Sequence, residues 1–367
     1  MSVLSANKAR SAAPPVIEHP DQIEDLREPW DGLEGAMTTP MQHRIWTQAA
    51  AETLIEKNSL RVVTCGTANH LTAIAPLVKK GGWQGNLEIV GLGELTEPSD
   101  FIYRDERALA ELLDQVIKLG EALFIERVFT SSPLIEALRV AYRGRGFFRV
   151  TPALGCPYID LHAGWVEPES QFNSGRRSDF RRAQRHAEKL GEVDFEIVSP
   201  TADQLEPMVE EAFGVEAASW KGEGGSALAI DHLRGNFYRN YALAARDRGI
   251  LRLCFMRVGG RAIAMQYAVE CQNRFWLLKI GYNQEFSRCS PGTLLMLQTL
   301  RYAAERGLAS YEFLGTEAPW TQVWTSNLRE CAKIQAYPAR LRGLTSLAFD
   351  ATRHMGHRFS KSSEEES

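Results

Sequence analysis

Apolar positions along the chain alternate in short runs separated by stretches of helical spacing, and the most informative succession lies between Arg274 and Gly315. Arg274 to Tyr282 is an apolar strand pattern, followed by a polar loop from Asn283 to Gly292. Thr293 to Arg306 then has helical spacing and a stop at Gly307, and Ser310 to Leu314 is strand-like again. Strand, loop, helix and strand in that order predict a βαβ unit whose helix opens beside the end of a strand. Unpaired N–H groups and the positive end of the helix dipole gather there, so an anion such as a pyrophosphate can be held.

Two further stretches precede this unit. In the first, Thr39-Pro40 opens a helix to about Lys57 through Met41, Ile45, Trp46, Ala49 and Thr53. Leu60 to Cys65 and His70 to Val78 read as strands joined by a hairpin at Gly66 to Asn69, and Leu87 to Leu92 as a third strand. A helix through Leu109, Leu112, Leu113, Val116 and Leu119 ends at Gly120, a buried strand covers Leu123 to Val128, and Ser132-Pro133 opens another helix. Phe147 to Val150 and Pro157 to Leu161 are short strands. Gly91-Leu-Gly93 lacks a third glycine and a following helix, so it is not a dinucleotide fingerprint.

The second stretch begins with a basic helix, Ser174 to Leu190. Phe180, Ala183, Ala187 and Leu190 form its apolar stripe, with Arg177, Arg181, Arg182, Arg185 and Lys189 facing away. Asn173 or Ser174 can cap its start and Gly191 its end. The basic face reads either as a solvated surface or as one that meets phosphates; it has no aromatic interleaving for base stacking. A strand at Val193 to Val198 and a helix from about Ala202 to Ala218 follow, then a helix through Ile230, Leu233, Phe237, Tyr241 and Ala244. Ile250 to Val258, Arg261 to Val269 and Arg274 to Tyr282 make an antiparallel set, with Gly259-Gly260 as a two-residue turn. After the βαβ unit come an aromatic segment, Pro319 to Trp324, a strand near Ala332 to Tyr337, and an amphipathic helix through Leu344, Leu347, Ala348 and Ala351.

Composition narrows the partners. A chain of 367 residues, 44% hydrophobic and 24% charged, has room for two cores. Net charge −4 argues against a large sequence-independent nucleic-acid surface. The six cysteines show neither a CxxC pair nor a His/Cys ligand spacing, so free thiols and no metal are expected. No run approaches the roughly 18 apolar residues of a membrane span, which points to a cytoplasmic protein. Residues 1–35 read as a flexible arm and 343–367 as a helix with an acidic tail.

The order β-α-α-β-β-β-α-β, with Arg176 to Arg185, Ser219-Trp220-Lys221, Gly281-Tyr282, Ser290-Pro291-Gly292-Thr-Leu-Leu295 and Glu312-Phe-Leu-Gly315, resembles the GNAT acyltransferase superfamily. Within it the motifs resemble the CelD-like, BioF2-like acetyltransferases, a branch related to the Fem-type peptidyltransferases. The resemblance implies an α/β (α+β) fold of tandem GNAT-like domains, each a mixed, mostly antiparallel sheet flanked by helices. Residues 36–165 would be the N-terminal half and 166–342 the acyltransferase domain.

It also implies acyl-CoA, in the simplest case acetyl-CoA, as co-substrate in a cleft between the strand ending at Tyr282 and the one beginning near Ser310. Arg288, Ser290, Gly292 and Thr293 would hold the pyrophosphate. Independently, Gly292 lets a backbone approach, Ser290 can cap the helix and Pro291 loses no hydrogen bond in a first turn. The loop departs from the Gln/Arg-x-x-Gly-x-Gly/Ala pattern of the superfamily. Glu312, a carboxylate inside an apolar strand, is the candidate base, or else pairs with a cation across the sheet. Tyr282 is the candidate acid for the leaving thiolate. Glu216, Ser219, Trp220, Lys221 and Trp324 would lie on the acceptor side.

Trp320-Thr321 stands where related sequences carry Tyr-Lys, and Cys289 has no neighbouring His to make it a nucleophile. The activity expected is N-acyl transfer by direct attack of an amine on the thioester, the acceptor being an amino sugar or another cell-envelope or polysaccharide precursor. Its rivals are a Fem-like transferase using aminoacyl-tRNA and a non-catalytic GNAT-like interaction module. Sequence assigns no oligomeric state.

Overall fold

The alternating runs become two sheets. The computed structural model describes residues 16–82, 85–219 and 228–364, in two units: residues 1–153 with 330–367, and residues 154–329. The strand Leu328–Pro338 and the helix Leu341–Glu364 fall almost wholly with the first unit, and the described part of the stretch read as a flexible arm instead pairs Val16–Ile17 with Val62–Val63 and buries Ile23 and Trp30.

In the first unit, β1 (Val16–Ile17), β2 (Leu60–Thr67), β3 (His70–Lys80) and β4 (Asn86–Ile89) pair antiparallel in turn, and β5 (Ile102–Tyr103) adds to β3. β6 (Ala122–Phe129) joins β4 in parallel and pairs antiparallel with the strand Leu328–Pro338. Helices α1 (Arg44–Thr53), α2 (Glu106–Leu119) and α3 (Leu134–Tyr142) accompany this sheet. α2 shows why the pattern was legible. The Asp105 carboxylate accepts from Ala108 N–H at 2.8 Å, Leu109, Leu112, Leu113 and Val116 are buried, and Gly120 takes the left-handed φ of 77° that ends the helix. The helix expected from Thr39 to Lys57 is instead broken. Thr39 and Gln42 close a capping box around the turn Pro40–Gln42, His43 is extended, and only then does α1 begin.

Phe147 to Val150 and Pro157 to Leu161 belong to one strand, β7 (Gly146–Asp160), rather than two. In the second unit its latter part pairs antiparallel with β12 (Ser310–Glu312), reached after β8 (Val193–Val198), β9 (Leu251–Val258), β10 (Arg261–Cys271) and β11 (Arg274–Tyr282). The order is β7-β12-β11-β10-β9-β8, with only β11 and β12 parallel. Gly259 and Gly260 both have positive φ, 57° and 82°, as a primed two-residue turn requires.

Helices α4 (Ser174–Glu188) and α7 (Pro291–Glu305) pack on the apolar cluster that includes Cys254, Ala264, Leu277 and Leu295. α5 (Ala202–Ala217) contacts β10 and β11 and packs with α6 (His232–Asp247). Asn173 is the cap of α4, accepting from Arg176 N–H at 2.9 Å. Two apolar phases differ from expectation. Leu190 is exposed beyond the end of α4, and α6 buries Phe237, Tyr238, Tyr241, Ala242 and Ala245 while Ile230 and Leu233 face solvent. No helix among the described residues is long and apolar enough to cross a membrane. The six cysteines are free, as expected.

Candidate functional site

β11 and β12 pair for three residues only, from Arg274 with Ser310 to Trp276 with Glu312. β11 also carries a bulge. Tyr267 of β10 faces Lys279 and Ala268 faces Leu277, so Leu278 is the extra residue. A bulge takes one residue's backbone groups out of the ladder and re-aims them. Beyond it lies a cavity of about 520 Å³. Its walls are Met265 and Gln266 on β10, Ile280, Gly281 and Tyr282 on β11, and the first turn of α7 with Met296 below it. Arg176, Ser219, Ser287, Trp320 and Trp324 complete the rim.

The start of α7 faces this space. Pro291 has no N–H, and the N–H groups of Thr293 and Leu294 both turn back to the Ser290 carbonyl, at 3.0 and 3.1 Å. The Gly292 N–H is left as a first-turn donor without a partner among the described residues. Ser290 stands at the cap position but does not cap with its side chain. It has a left-handed backbone (φ 45°, ψ 52°), and its carbonyl closes the turn. Leu314, just past β12, is also left-handed at φ 55°, a strained conformation for a non-glycine residue.

Of the residues read from the sequence, Tyr282, Ser290, Gly292, Thr293, Ser219 and Trp324 come together around the cavity. Trp324 is stacked on Phe180 of α4, ring centroids 6.2 Å apart and planes within 5°. Arg288 is exposed on the turn Gln284–Cys289 and does not line the cavity. Glu216 is buried behind Gly281 and accepts the Leu228 N–H at 3.0 Å. Trp220 and Lys221 lie outside the described residues. Cys289 is buried, and that burial pushes its thiol up, away from a nucleophilic thiolate.

Glu312 is placed elsewhere. It is 1% exposed and sits at the level of Trp276, six residues before Tyr282, about 20 Å along an extended strand. Arg329 binds it with two hydrogen bonds, Nε to Oε2 at 2.7 Å and Nη2 to Oε1 at 2.5 Å. Ser310 donates to Oε1 at 2.6 Å, and the Arg274 guanidinium lies 3.7 Å away. The Arg329 guanidinium also covers the Tyr158 ring at 3.8 Å. Of the two roles read for Glu312, the geometry is that of a carboxylate paired with a cation across the sheet.

Two residues were not singled out. Arg176, in the first turn of α4, lines the cavity, and its place in the basic helix was the available signal. Gln266 is 2% exposed, the lone amide in the otherwise apolar run Ala262 to Val269. Its Oε1 accepts from the Tyr311 hydroxyl at 3.1 Å, which lies 3.1 Å from the Thr299 hydroxyl. A second groove, about 460 Å³, runs between α4 and α7 and is edged by Arg177, Arg181 and Arg185. Among the described residues no cluster of His, Cys, Asp or Glu could hold a metal.

Residues 174–322, which include most of the residues lining this cavity, match the family model described as an acetyltransferase (GNAT) domain. No curated protein matches the sequence. Among solved structures, the chain is similar to FemX, at 13% identity and TM-score 0.57, over 83% of this chain and 94% of that one. It is similar to the C-terminal domain of a putative lysylphosphatidylglycerol synthetase from Agrobacterium fabrum, at 10% identity and TM-score 0.52, over 90% and 95% of the two chains. L-PGS from Bacillus licheniformis gives 12% identity and TM-score 0.51 over the same shares. At such identities the likeness is one of fold.

Proposed function

We propose that the protein is an N-acyltransferase that moves an acyl group, in the simplest case acetyl, from acyl-CoA to an amine. The observation that carries this reading is the cavity between the end of β11 and the first turn of α7, most of it built by the segment that matches the acetyltransferase (GNAT) domain. The Gly292 N–H and the α7 dipole would meet the pyrophosphate, with Arg176 adding charge at the rim.

In the transfer, the neutral amine attacks the carbonyl carbon, a C–N bond forms and the C–S bond breaks. The thiolate takes the Tyr282 hydroxyl proton, and the proton lost by the amine returns to Tyr282 through solvent. Glu312, bound by Arg329 and not lining the cavity, is not the base in this scheme; solvent accepts the amine's proton. Ser219 and Trp324 face the acceptor. We place the protein with the CelD-like, BioF2-like branch on its Arg176–Arg185 and Ser290–Leu295 motifs, with an amino sugar or envelope precursor as acceptor.

Calorimetry with acetyl-CoA and longer acyl-CoAs tests the reading. Binding in the micromolar range, weakened at least tenfold by Gly292→Val, is expected. Absence of heat with every acyl-CoA overturns it in favour of an interaction module or another donor. One observation favours a second donor, aminoacyl-tRNA: Arg177, Arg181 and Arg185 edge a groove and form no ion pair among the described residues. Salt-sensitive tRNA binding lost on neutralising Arg181 and Arg185 would support it.

A further inference from the structure

The floor of the cavity holds a polar group that the transfer scheme does not use. Gln266 is 2% exposed on β10, flanked by Ile280 across the ladder and by Met296 of α7, all three lining the cavity. Its amide orientation is set by its neighbours. The Tyr311 hydroxyl meets Oε1 at 3.1 Å, while Nε2 points to the Met296 sulfur at 3.8 Å. A thioether is a weak acceptor and cannot donate. Turning the amide over would place its oxygen against sulfur, so the recorded orientation is the favoured one.

Tyr311 is itself constrained. Its ring stacks on Phe275 at 4.8 Å, and its hydroxyl lies against Thr299. Burial holds that hydroxyl well above the ordinary phenol range, so it remains protonated and able to donate. One Gln266 amide hydrogen thus meets only the weakly accepting Met296 sulfur, and neither meets an oxygen or nitrogen among the described residues.

A buried donor of this kind tolerates an empty, wet cavity because water can accept from it. When a ligand displaces that water, the ligand must supply the acceptor or leave the donor desolvated and unpaired. A site built in this way rejects a partner that lacks the matching atom far more strongly than an apolar pocket rejects an extra methylene. Resting on the acyl-CoA reading above, we propose that Gln266 selects the acyl group, favouring a chain with an acceptor oxygen beyond the thioester carbonyl over a saturated chain of equal length. Gln266 is then a specificity residue, oriented by Tyr311 and Thr299.

The test is the ratio of dissociation constants within matched pairs, acetoacetyl-CoA against butyryl-CoA and lactoyl-CoA against propionyl-CoA, measured by calorimetry. In the wild-type protein at least one oxygenated member should bind tenfold or more tighter than its saturated partner. Gln266→Met should bring that ratio to within twofold of unity. A general loss of packing would instead weaken both members alike. Tyr311→Phe keeps the stacked ring and releases the amide, so an intermediate ratio is expected; it also serves if Gln266→Met does not fold. Ratios near unity in the wild-type protein, or a ratio unchanged in both variants, overturn the proposal. If acetyl-CoA binds and neither pair is discriminated, only the role of Gln266 falls. If no acyl-CoA binds, the donor reading falls and takes this inference with it.

Discussion

Glu312 shows how one buried carboxylate can satisfy a sequence pattern for two different reasons. An acidic residue inside an apolar strand needs either a catalytic use or a partner, and Arg329, Ser310 and Arg274 supply the partners. Glu312→Ala should therefore cost about 3 kcal/mol or more in stability, since it removes the carboxylate that Arg329 bonds twice in a buried pair. Chemical denaturation measures that loss; acetyl-CoA affinity of the folded fraction should change little. Arg329 lies seventeen residues on, at the start of the strand Leu328–Pro338 and ahead of the strand read near Ala332 to Tyr337, so the pairing was not readable from the sequence.

His43 and Asp100, both buried, should leave opposite marks on the pH dependence of stability. Burial lowers the His43 pKa from 6.5 to about 4, against the opposing charge of Asp31. Stability gained by keeping it neutral is full above 6.5 and is lost as pH falls through about 4. Burial raises the Asp100 pKa from 3.8 to about 7, in spite of hydrogen bonds from Ser132 and the Phe101 N–H. Its contribution is full below 3.8 and is lost as pH rises through about 7. Asp100→Asn should accordingly raise the melting temperature relative to wild type at pH 8 and lose that advantage near pH 4, as thermal unfolding at the two pH values would show.

At the level of elements, the meeting of α5 with β11 depends on a missing side chain. A Cβ at Gly281 would stand 2.6 Å from the Glu216 Cα, too close for any rotamer change to relieve. Gly281→Ala should force helix from strand, costing roughly 1–3 kcal/mol and disturbing the cavity wall. At Gly292 the nearest atom to an added Cβ is Tyr282 Cδ1 at 3.7 Å, ordinary contact, so Gly292→Ala should fold with near wild-type stability. Melting temperatures of the two variants compare these directly.

Helix positions followed periodicity closely in α2, α4 and α7, with side-chain caps at Asp105 and Asn173 and a proline in the first turn of α7. The apolar phase of α6 did not follow. Its aromatic residues Phe237, Tyr238 and Tyr241 outweigh Ile230 and Leu233 once Tyr267 is there to pack against Tyr238. Likewise, the break at His43 comes from Gln42, whose amide is drawn to the distant Phe101 carbonyl at 2.7 Å.

On the scale of the whole molecule, a net charge of −4 opposes an anionic donor at long range, while Arg176, Arg177, Arg181 and Arg185 gather around the cavity and the neighbouring groove. Acyl-CoA binding should then weaken several-fold between about 50 and 200 mM salt, because exposed charges are screened beyond a Debye length of roughly 10 Å. Arg176→Gln should flatten that dependence in titrations at the two salt concentrations. A flat wild-type response would remove these arginines from donor binding.

The chain's own pattern was enough for the order of strands and helices from Ser174 to Leu314, the turn at Gly259-Gly260 and the helix start beside Tyr282. Each of these rests on neighbours within a few residues, through side-chain alternation, caps and backbone freedom. The sites of Glu312, Gln266 and Arg176 needed the folded chain. Whether a buried polar group is paired, poised or spent depends on partners such as Arg329, Tyr311 and Met296, brought to it from other strands and helices. Burial and pairing are properties of three-dimensional neighbours, which local periodicity does not encode.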